Sequence, residues 1–261
     1  MTSRTTRPLV FAGPDAAAFA QAQLSSDLRS LAVGRWQWSG WLDPKGRVRA
    51  LLQVARLADD RFVAVPRGGD GETLATALMR FVFRAKVTIA TLPSLRVADG
   101  EAQPDGFAHE SDDGAIVLGE GDASIRVGTQ DDGDAWVGRH MRKGFAWLPE
   151  VVLGELLPPA LSMERLGAVA FDKGCFPGQE IAARLHFLGG HKRHLRLTRS
   201  DEPLREGQTL RANGRDVGIV LMHAVLDATP TSLVVLDDAA SQEDTIENDG
   251  VRLHVLSTFD A

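Results

Sequence analysis

Apolar residues recur along the first half of the chain with two periods, and each period predicts a different kind of element. Apolar positions at helical spacing predict a helix over residues 14–24 and a second helix, with one continuous apolar stripe, over residues 72–84. The turn sequence Asp43-Pro44-Lys45-Gly46 lies between two segments that alternate with period two, which predicts a hairpin. The predicted strands of this half cover residues 35–39, 48–54, 61–65, 115–118 and 124–128.

The period changes near residue 191. Before it, residues 147–157 are predicted to form a helix, and another helix is predicted between Pro177-Gly178 and Gly189-Gly190. After it, apolar residues alternate with polar ones near 194–198, 217–221, 233–236 and 251–255, without a helical stripe. We therefore predict an α+β protein with a region over residues 1–190 and a small C-terminal β-barrel over residues 191–261.

Composition and charge narrow the classes of function. The 261 residues are 44% hydrophobic and 25% charged, which is ordinary for a globular protein. Acids outnumber bases 35 to 29, and this balance argues against a broad nucleic-acid-binding platform. No signal peptide is evident and no apolar run approaches the roughly 20 residues that cross a bilayer, so we expect a cytoplasmic protein without a membrane partner.

The chain has one cysteine, Cys175, which excludes an internal disulfide and a cluster held by four thiolates of this chain. It lies in the segment Lys173-Gly174-Cys175-Phe176-Pro177-Gly178-Gln179-Glu180, just before a predicted helix. Free N–H groups at a helix start and the charge of Lys173 favour a thiolate. A lone cysteine can equally be a small buried hydrophobic residue, and the residues alone leave both interpretations open.

This segment closely resembles the signature of the YgfZ family of folate-binding proteins, which are related to the aminomethyltransferase (T-protein) of the glycine cleavage system. Other segments resemble the family in the same order: residues 11–16 with 21–28, residues 43–47, residues 190–193 and residues 216–220. The resemblance therefore spans nearly the whole chain. It implies subdomains around a central channel, with tetrahydrofolate or a derivative as the ligand.

The resemblance also implies a role and a set of site residues. The role is that of an accessory factor that supports iron–sulfur cluster assembly or repair, and thereby tRNA methylthiolation, with iron–sulfur enzymes such as tRNA methylthiotransferases as clients. Cys175 would be the reactive thiol and Lys173 its electrostatic partner, while Trp136 and Arg139 would lie toward the folate. The residues that shape the site would be Gly174, Gly178, Gln179, Glu180 and Arg184, the last two at i, i+4 spacing.

Several alternatives stay open. His186, His191 and His194 lie close in sequence to lysine and arginine residues. Together they could form a basic patch that binds the folate tail or RNA phosphate, or they could form a solvated edge of the barrel. We expect no metal there. The rival functions are a folate-dependent aminomethyltransferase and a non-catalytic RNA-binding or scaffold protein. The sequence does not decide whether the protein is an enzyme or whether it contacts tRNA directly.

Overall fold

The computed structural model describes residues 4–243, 245–248 and 250–259, and within them it forms sixteen strands and five α-helices. The strands are β1 Thr5–Thr6, β2 Leu9–Ala12, β3 Arg35–Leu42, β4 Val48–Ala58, β5 Arg61–Pro66, β6 Thr88–Thr91, β7 Leu95–Gly100, β8 Ala108–Glu110, β9 Ile116–Gly119, β10 Ser124–Gly128, β11 Arg193–Ser200, β12 Thr209–Ala212, β13 Arg215–Leu226, β14 Thr229–Asp237, β15 Ile246–Asn248 and β16 Val251–Thr258. The helices are α1 Ala16–Gln23, α2 Gly71–Met79, α3 Ala135–Lys143, α4 Gln179–Leu188 and α5 Asp238–Ser241.

The N-terminal sheet has the strand order β3-β4-β5-β2-β6 and is covered by α1 and α2. Phe19 of α1 and Leu78 of α2 share a buried cluster with Phe11 and Phe62 of the sheet. The predicted hairpin, the strand at residues 61–65 and the first helix are confirmed. The second helix ends at Met79 instead of residue 84. Beyond it, backbone N–H groups donate to carbonyl oxygens only three or two residues earlier in the chain, which makes tight turns instead of an α-helix.

The middle sheet has the order β1-β7-β10-β9-β8, and α3 packs beside it. The sequence did not predict α3, because this helix buries Trp136 and His140 among cationic residues and shows no plain apolar stripe. The predicted helix over 147–157 is wrong. The Leu148 N–H donates to the Arg67 carbonyl oxygen and the Gly154 N–H donates to that of Val48 in β4. Within the segment only the short 3₁₀ turn Glu150–Val152 forms, and a second, Pro158–Leu161, follows it.

The C-terminal sheet has the order β12-β13-β14-β11-β16-β15 and is nearly closed into a barrel. Its two edges approach each other where the Arg211 N–H donates to Asn248 Oδ1, at 2.8 Å. Leu210, Val234 and Leu253 lie in its buried interior. The predicted α+β class and C-terminal barrel are confirmed, while the division of the chain at residue 190 stays a prediction.

The last described residue ties the barrel to the rest of the molecule. Phe259 packs under the Arg165 guanidinium, at 5.3 Å from the ring centroid, and its carbonyl oxygen accepts a hydrogen bond from the Ser162 hydroxyl. None of the described helices is both long enough and apolar enough to span a bilayer.

Candidate functional site

The cysteine motif forms a loop that is anchored by a buried lysine. Lys173 is 5% exposed, and its ammonium donates hydrogen bonds to the carbonyl oxygens of Gln21, Leu24 and Ser26 at 2.6, 2.5 and 2.8 Å. These carbonyls lie at and just beyond the end of α1, where backbone acceptors have no partner in the helix. Burial lowers the pKa of Lys173 to about 8. The amino group therefore fastens the loop to α1.

The thiol itself is exposed. Cys175 precedes α4 by the three residues Phe176, Pro177 and Gly178, so it lies beside the helix start rather than on its first turn. Phe176 is buried under the Lys173 ammonium, at 5.1 Å from its ring centroid. The loop therefore has an inward lysine and phenylalanine and an outward cysteine.

The predicted hairpin turn packs directly against this loop. Gly178 has φ +76°, and a Cβ on it would lie 2.4 Å from the Asp43 carbonyl oxygen. Gly46 has φ +75°, and a Cβ there would lie 2.8 Å from the Ile181 Cβ of α4. Only residues without a side chain allow the loop backbone to approach the turn at Gly178 and the turn to approach Ile181 at Gly46 so closely. The hairpin turn and the cysteine loop, whose glycines Gly46 and Gly178 are 132 positions apart in the sequence, therefore form one unit.

The remaining motif residues surround the loop without a tight network. Gln179 Nε2 donates to the Lys173 carbonyl oxygen at 3.4 Å. Glu180 and Arg184 are both exposed on α4, and no ion pair joins them within the described part of the chain. Gly174 is exposed, with open space where a Cβ would be. The roles predicted for these residues stay predictions.

A cavity of about 420 Å³ opens between the N-terminal sheet, the middle sheet and α3. Trp36 and Trp38 of β3 form an aromatic wall, with ring centroids 5.7 Å apart, and Phe145 lies 5.1 Å from Trp38. The cavity is lined by Trp36, Gln37, Trp38, Asp105, Gly106, Glu120, Lys143, Phe145, Arg165 and Leu166. It combines aromatic surface with one buried carboxylate and two cationic side chains.

The buried carboxylate belongs to a chain of hydrogen bonds that runs away from the cavity. Glu120 Oε1 is 2.5 Å from His140 Nε2, and His140 Nδ1 is 2.8 Å from Arg67 Nη2. Because a guanidinium can only donate, Nδ1 accepts and the neutral imidazole carries its proton on Nε2, facing the carboxylate. Burial, together with the nearby Arg67 charge, lowers the pKa of His140 to about 4.

Arg139 holds the other oxygen of the same carboxylate. Its Nε donates to Glu120 Oε2 at 3.1 Å, and its Nη1 donates to Asp99 Oδ1 at 3.0 Å. Burial opposes ionisation of Glu120, but the hydrogen bonds and charges of His140 and Arg139 outweigh it and lower the pKa of Glu120 to about 2. Glu120 is therefore a fixed anion in the cavity wall.

Trp136 lies behind this wall and does not line the cavity. Its ring is fully buried between Trp147, His140 and the Arg67 guanidinium, and its Nε1 donates to the Val97 carbonyl oxygen at 3.0 Å. A ligand could stack on this ring only if these neighbours moved. The folate contacts predicted for Trp136 and Arg139 stay predictions. Arg139 does not line the cavity itself, but it donates a hydrogen bond to Glu120, which does.

Sequence reasoning missed the residues that line the cavity. Trp36 and Trp38 counted only as alternating strand positions, although two tryptophans on one strand are a usable signal for an aromatic site. Glu120, Lys143 and Arg165 come from three separate segments, and only the fold brings them together. Cys175 is not among the lining residues.

The three histidines near the motif are engaged individually. His186 stacks on Phe171 with ring centroids 4.2 Å apart, and its Nδ1 is 2.8 Å from Glu164 Oε2. His194 Nδ1 is 2.7 Å from Asp238 Oδ1, and its ring lies 5.4 Å from that of His191. Among the described residues, no group of three or more His, Cys, Asp or Glu side chains could hold a metal ion.

Comparison with known proteins places the chain among named relatives. No family model matches it. The "tRNA-modifying protein YgfZ" of Edwardsiella ictaluri is 26% identical over 292 aligned positions, which cover 90% of this chain and 87% of the relative. The protein of the same name from Klebsiella pneumoniae is 27% identical, with 88% and 86% covered. These matches confirm the predicted resemblance.

A solved structure shows the same fold. The glycine cleavage system aminomethyltransferase T from Bartonella henselae superposes with a TM-score of 0.71 and covers 97% of this chain and 83% of its own. At 17% identity the likeness concerns the fold alone. The predicted aminomethyltransferase-like architecture is confirmed.

Proposed function

Because the chain is a relative of the YgfZ proteins, we propose that it is a cytoplasmic folate-binding accessory factor that supports tRNA modification. Its clients in this proposal are iron–sulfur enzymes such as tRNA methylthiotransferases, whose clusters it helps to assemble or repair. The relatives named for tRNA modification support the role, and the aminomethyltransferase-like fold supports the ligand. The observation that carries the proposal is the cavity with its aromatic wall and fixed carboxylate.

The chemistry of the cavity fits tetrahydrofolate. Trp36, Trp38 and Phe145 offer flat apolar surface to a pterin or aminobenzoyl ring. The Glu120 carboxylate offers an acceptor to ring N–H and amino donors, and its position is fixed by His140 and Arg139. Lys143 and Arg165 offer cations to the carboxylates of the glutamate tail. When bound, the folate supplies one-carbon chemistry. The protein orients the folate and holds the negative charge of Glu120 beside it.

The exposed thiol supplies the second part of the proposal. A single cysteine outside the cavity suits transient handling of a cluster, a sulfur atom or a redox adduct better than permanent ligation. Lys173 holds the loop on α1, and Gly178 holds it on the hairpin turn, so both keep Cys175 at the surface. In this proposal Gly174, Gln179, Glu180 and Arg184 shape the approach to the thiol.

Substitution of the cavity carboxylate tests folate binding. In a titration with tetrahydrofolate read by tryptophan fluorescence, E120Q should weaken binding about tenfold or more, because a charged acceptor for ligand N–H groups becomes a neutral amide. The control E110Q changes a glutamate outside the cavity and should bind as the wild type does. Equal affinity of E120Q and the wild type, or no saturable binding, would contradict the assignment.

Substitution of the thiol tests the role in tRNA modification. In a bacterial strain that lacks its YgfZ relative, the wild-type chain should restore methylthiolated nucleosides in tRNA, and C175A should not. Nucleoside analysis by mass spectrometry measures both, and immunoblotting checks that the two proteins accumulate equally. Full restoration by C175A would remove the thiol from the mechanism. One-carbon transfer from a lipoyl carrier by C175A would instead favour an aminomethyltransferase.

A further inference from the structure

An aromatic and basic segment lies at the surface where α2 ends. Residues 79–86 have the sequence Met-Arg-Phe-Val-Phe-Arg-Ala-Lys, which contains three cationic residues and no acid in a chain of net charge −6. The cations Arg80, Arg84 and Lys86 are all exposed, and none forms an ion pair with a described residue. Three unpaired positive charges therefore lie within eight residues.

Two phenylalanines in this segment differ in their packing. Phe81 packs edge-on against Trp41, with ring centroids 6.5 Å apart, and so fastens the segment to the N-terminal sheet. Phe83 is 85% exposed, the largest exposure of any large hydrophobic side chain among the described residues. Exposure of such a ring to water costs free energy that a partner can recover. Phe81 therefore anchors the segment, while the Phe83 ring is free to contact a partner.

The backbone keeps these side chains together. The N–H groups of Phe81, Val82 and Phe83 donate to the carbonyl oxygens of Leu78, Met79 and Phe81, which makes a series of tight turns. At the far end, the Lys86 N–H donates to Asp15 Oδ2 at 2.6 Å. The segment is thus held at both ends and needs little ordering when a partner binds.

A free aromatic ring flanked by unpaired cations is the arrangement that binds single-stranded nucleic acid. Unpaired bases stack on aromatic side chains, while Arg and Lys bind the phosphates between them. We propose that residues 79–86 form a contact surface for single-stranded RNA, in which Phe83 stacks on a base and Arg80, Arg84 and Lys86 bind phosphates. The choice of RNA over DNA rests on the proposed role in tRNA modification; the surface is separate from the cavity.

Fluorescence anisotropy with a labelled single-stranded RNA of about 12 nucleotides tests this surface. F83A should bind about tenfold more weakly than the wild type, because one base loses its stacking partner. R84Q should reduce the dependence of log affinity on log salt by about 0.7, the value for one phosphate contact of a single strand. The same RNA annealed to its complement should bind less tightly, because its bases are already stacked inside the duplex.

Matched variants outside the segment serve as controls. F187A removes a phenylalanine that is 71% exposed on α4, and R215Q removes an exposed arginine in β13; both should bind RNA as the wild type does. Wild-type affinity of F83A, equal binding of the duplex, or no RNA binding at about 50 mM salt would overturn the proposal. F83A should retain normal tetrahydrofolate binding. A negative result in the RNA-binding test is therefore distinct from a negative result in the folate titration.

Discussion

At the scale of single residues, the cavity depends on a buried histidine that does not line it. His140 receives a hydrogen bond from Arg67 on one nitrogen and gives one to Glu120 from the other. The arrangement fixes the tautomer of the imidazole and the direction of the carboxylate at the same time. His140 is a positioning residue, and because burial lowers its pKa we expect it to make the stability of the protein sensitive to acid.

The sign of this pH dependence follows from the lowered pKa of His140. As pH falls, the unfolded imidazole takes up a proton near 6.5, while the folded one does so only near 4. The unfolded state therefore binds more protons in this window, and the free energy of unfolding should fall by about 2 kcal/mol between pH 7.5 and 5 on account of this residue. Glu120, whose lowered pKa is about 2, contributes a further loss only as pH falls below 4.5.

The variant H140Q isolates this contribution. A glutamine amide can donate to Glu120 and accept from Arg67, but it does not titrate. Urea unfolding at pH 7.5 and pH 5 should show that the wild type loses about 2 kcal/mol more than H140Q over this interval. The same loss in both proteins would show that His140 is not the group responsible.

At the scale of elements, the thiol loop and the hairpin turn between β3 and β4 form a single structural unit. Each contributes a glycine with positive φ at the point of contact. A Cβ on Gly178 would meet the backbone of the turn, and a Cβ on Gly46 would meet the Ile181 side chain of α4. The position of Cys175 is therefore set by the hairpin turn as well as by α4.

Two glycine variants of the same loop separate this contact from a general effect of alanine. G178A places a Cβ 2.4 Å from the Asp43 carbonyl oxygen at φ +76°, and should destabilise the protein by about 2 kcal/mol or more. G174A meets open space and should change stability by less than about 0.5 kcal/mol. Urea unfolding measures both, and iodoacetamide labelling should show an altered rate at Cys175 only in G178A. Equal stability of the two variants would mean that the loop does not depend on the turn.

At the scale of the whole molecule, local patterns and the cysteine motif predicted the α+β class, the hairpin and the C-terminal barrel. They failed where tertiary contacts override local spacing: Gly154 and Leu156 form backbone hydrogen bonds with Val48 of β4, and α2 stops at Met79. The cavity could not be predicted because Trp36, Glu120 and Arg165 are far apart in sequence and meet only through the sheets. The helix α3 was missed because its buried face contains a tryptophan and a histidine that belong to a polar network.

The contact of Phe259 with Arg165 has a consequence for the order of events during synthesis. The sheets that surround the cavity leave the ribosome first, yet Arg165 lacks its aromatic support until residue 259 has also emerged. Phe259 is therefore the last contact added to Arg165, whose guanidinium also donates to the carbonyl oxygens of Lys143 and Gly144. We expect the cavity to reach its final shape only after the C-terminal barrel has folded.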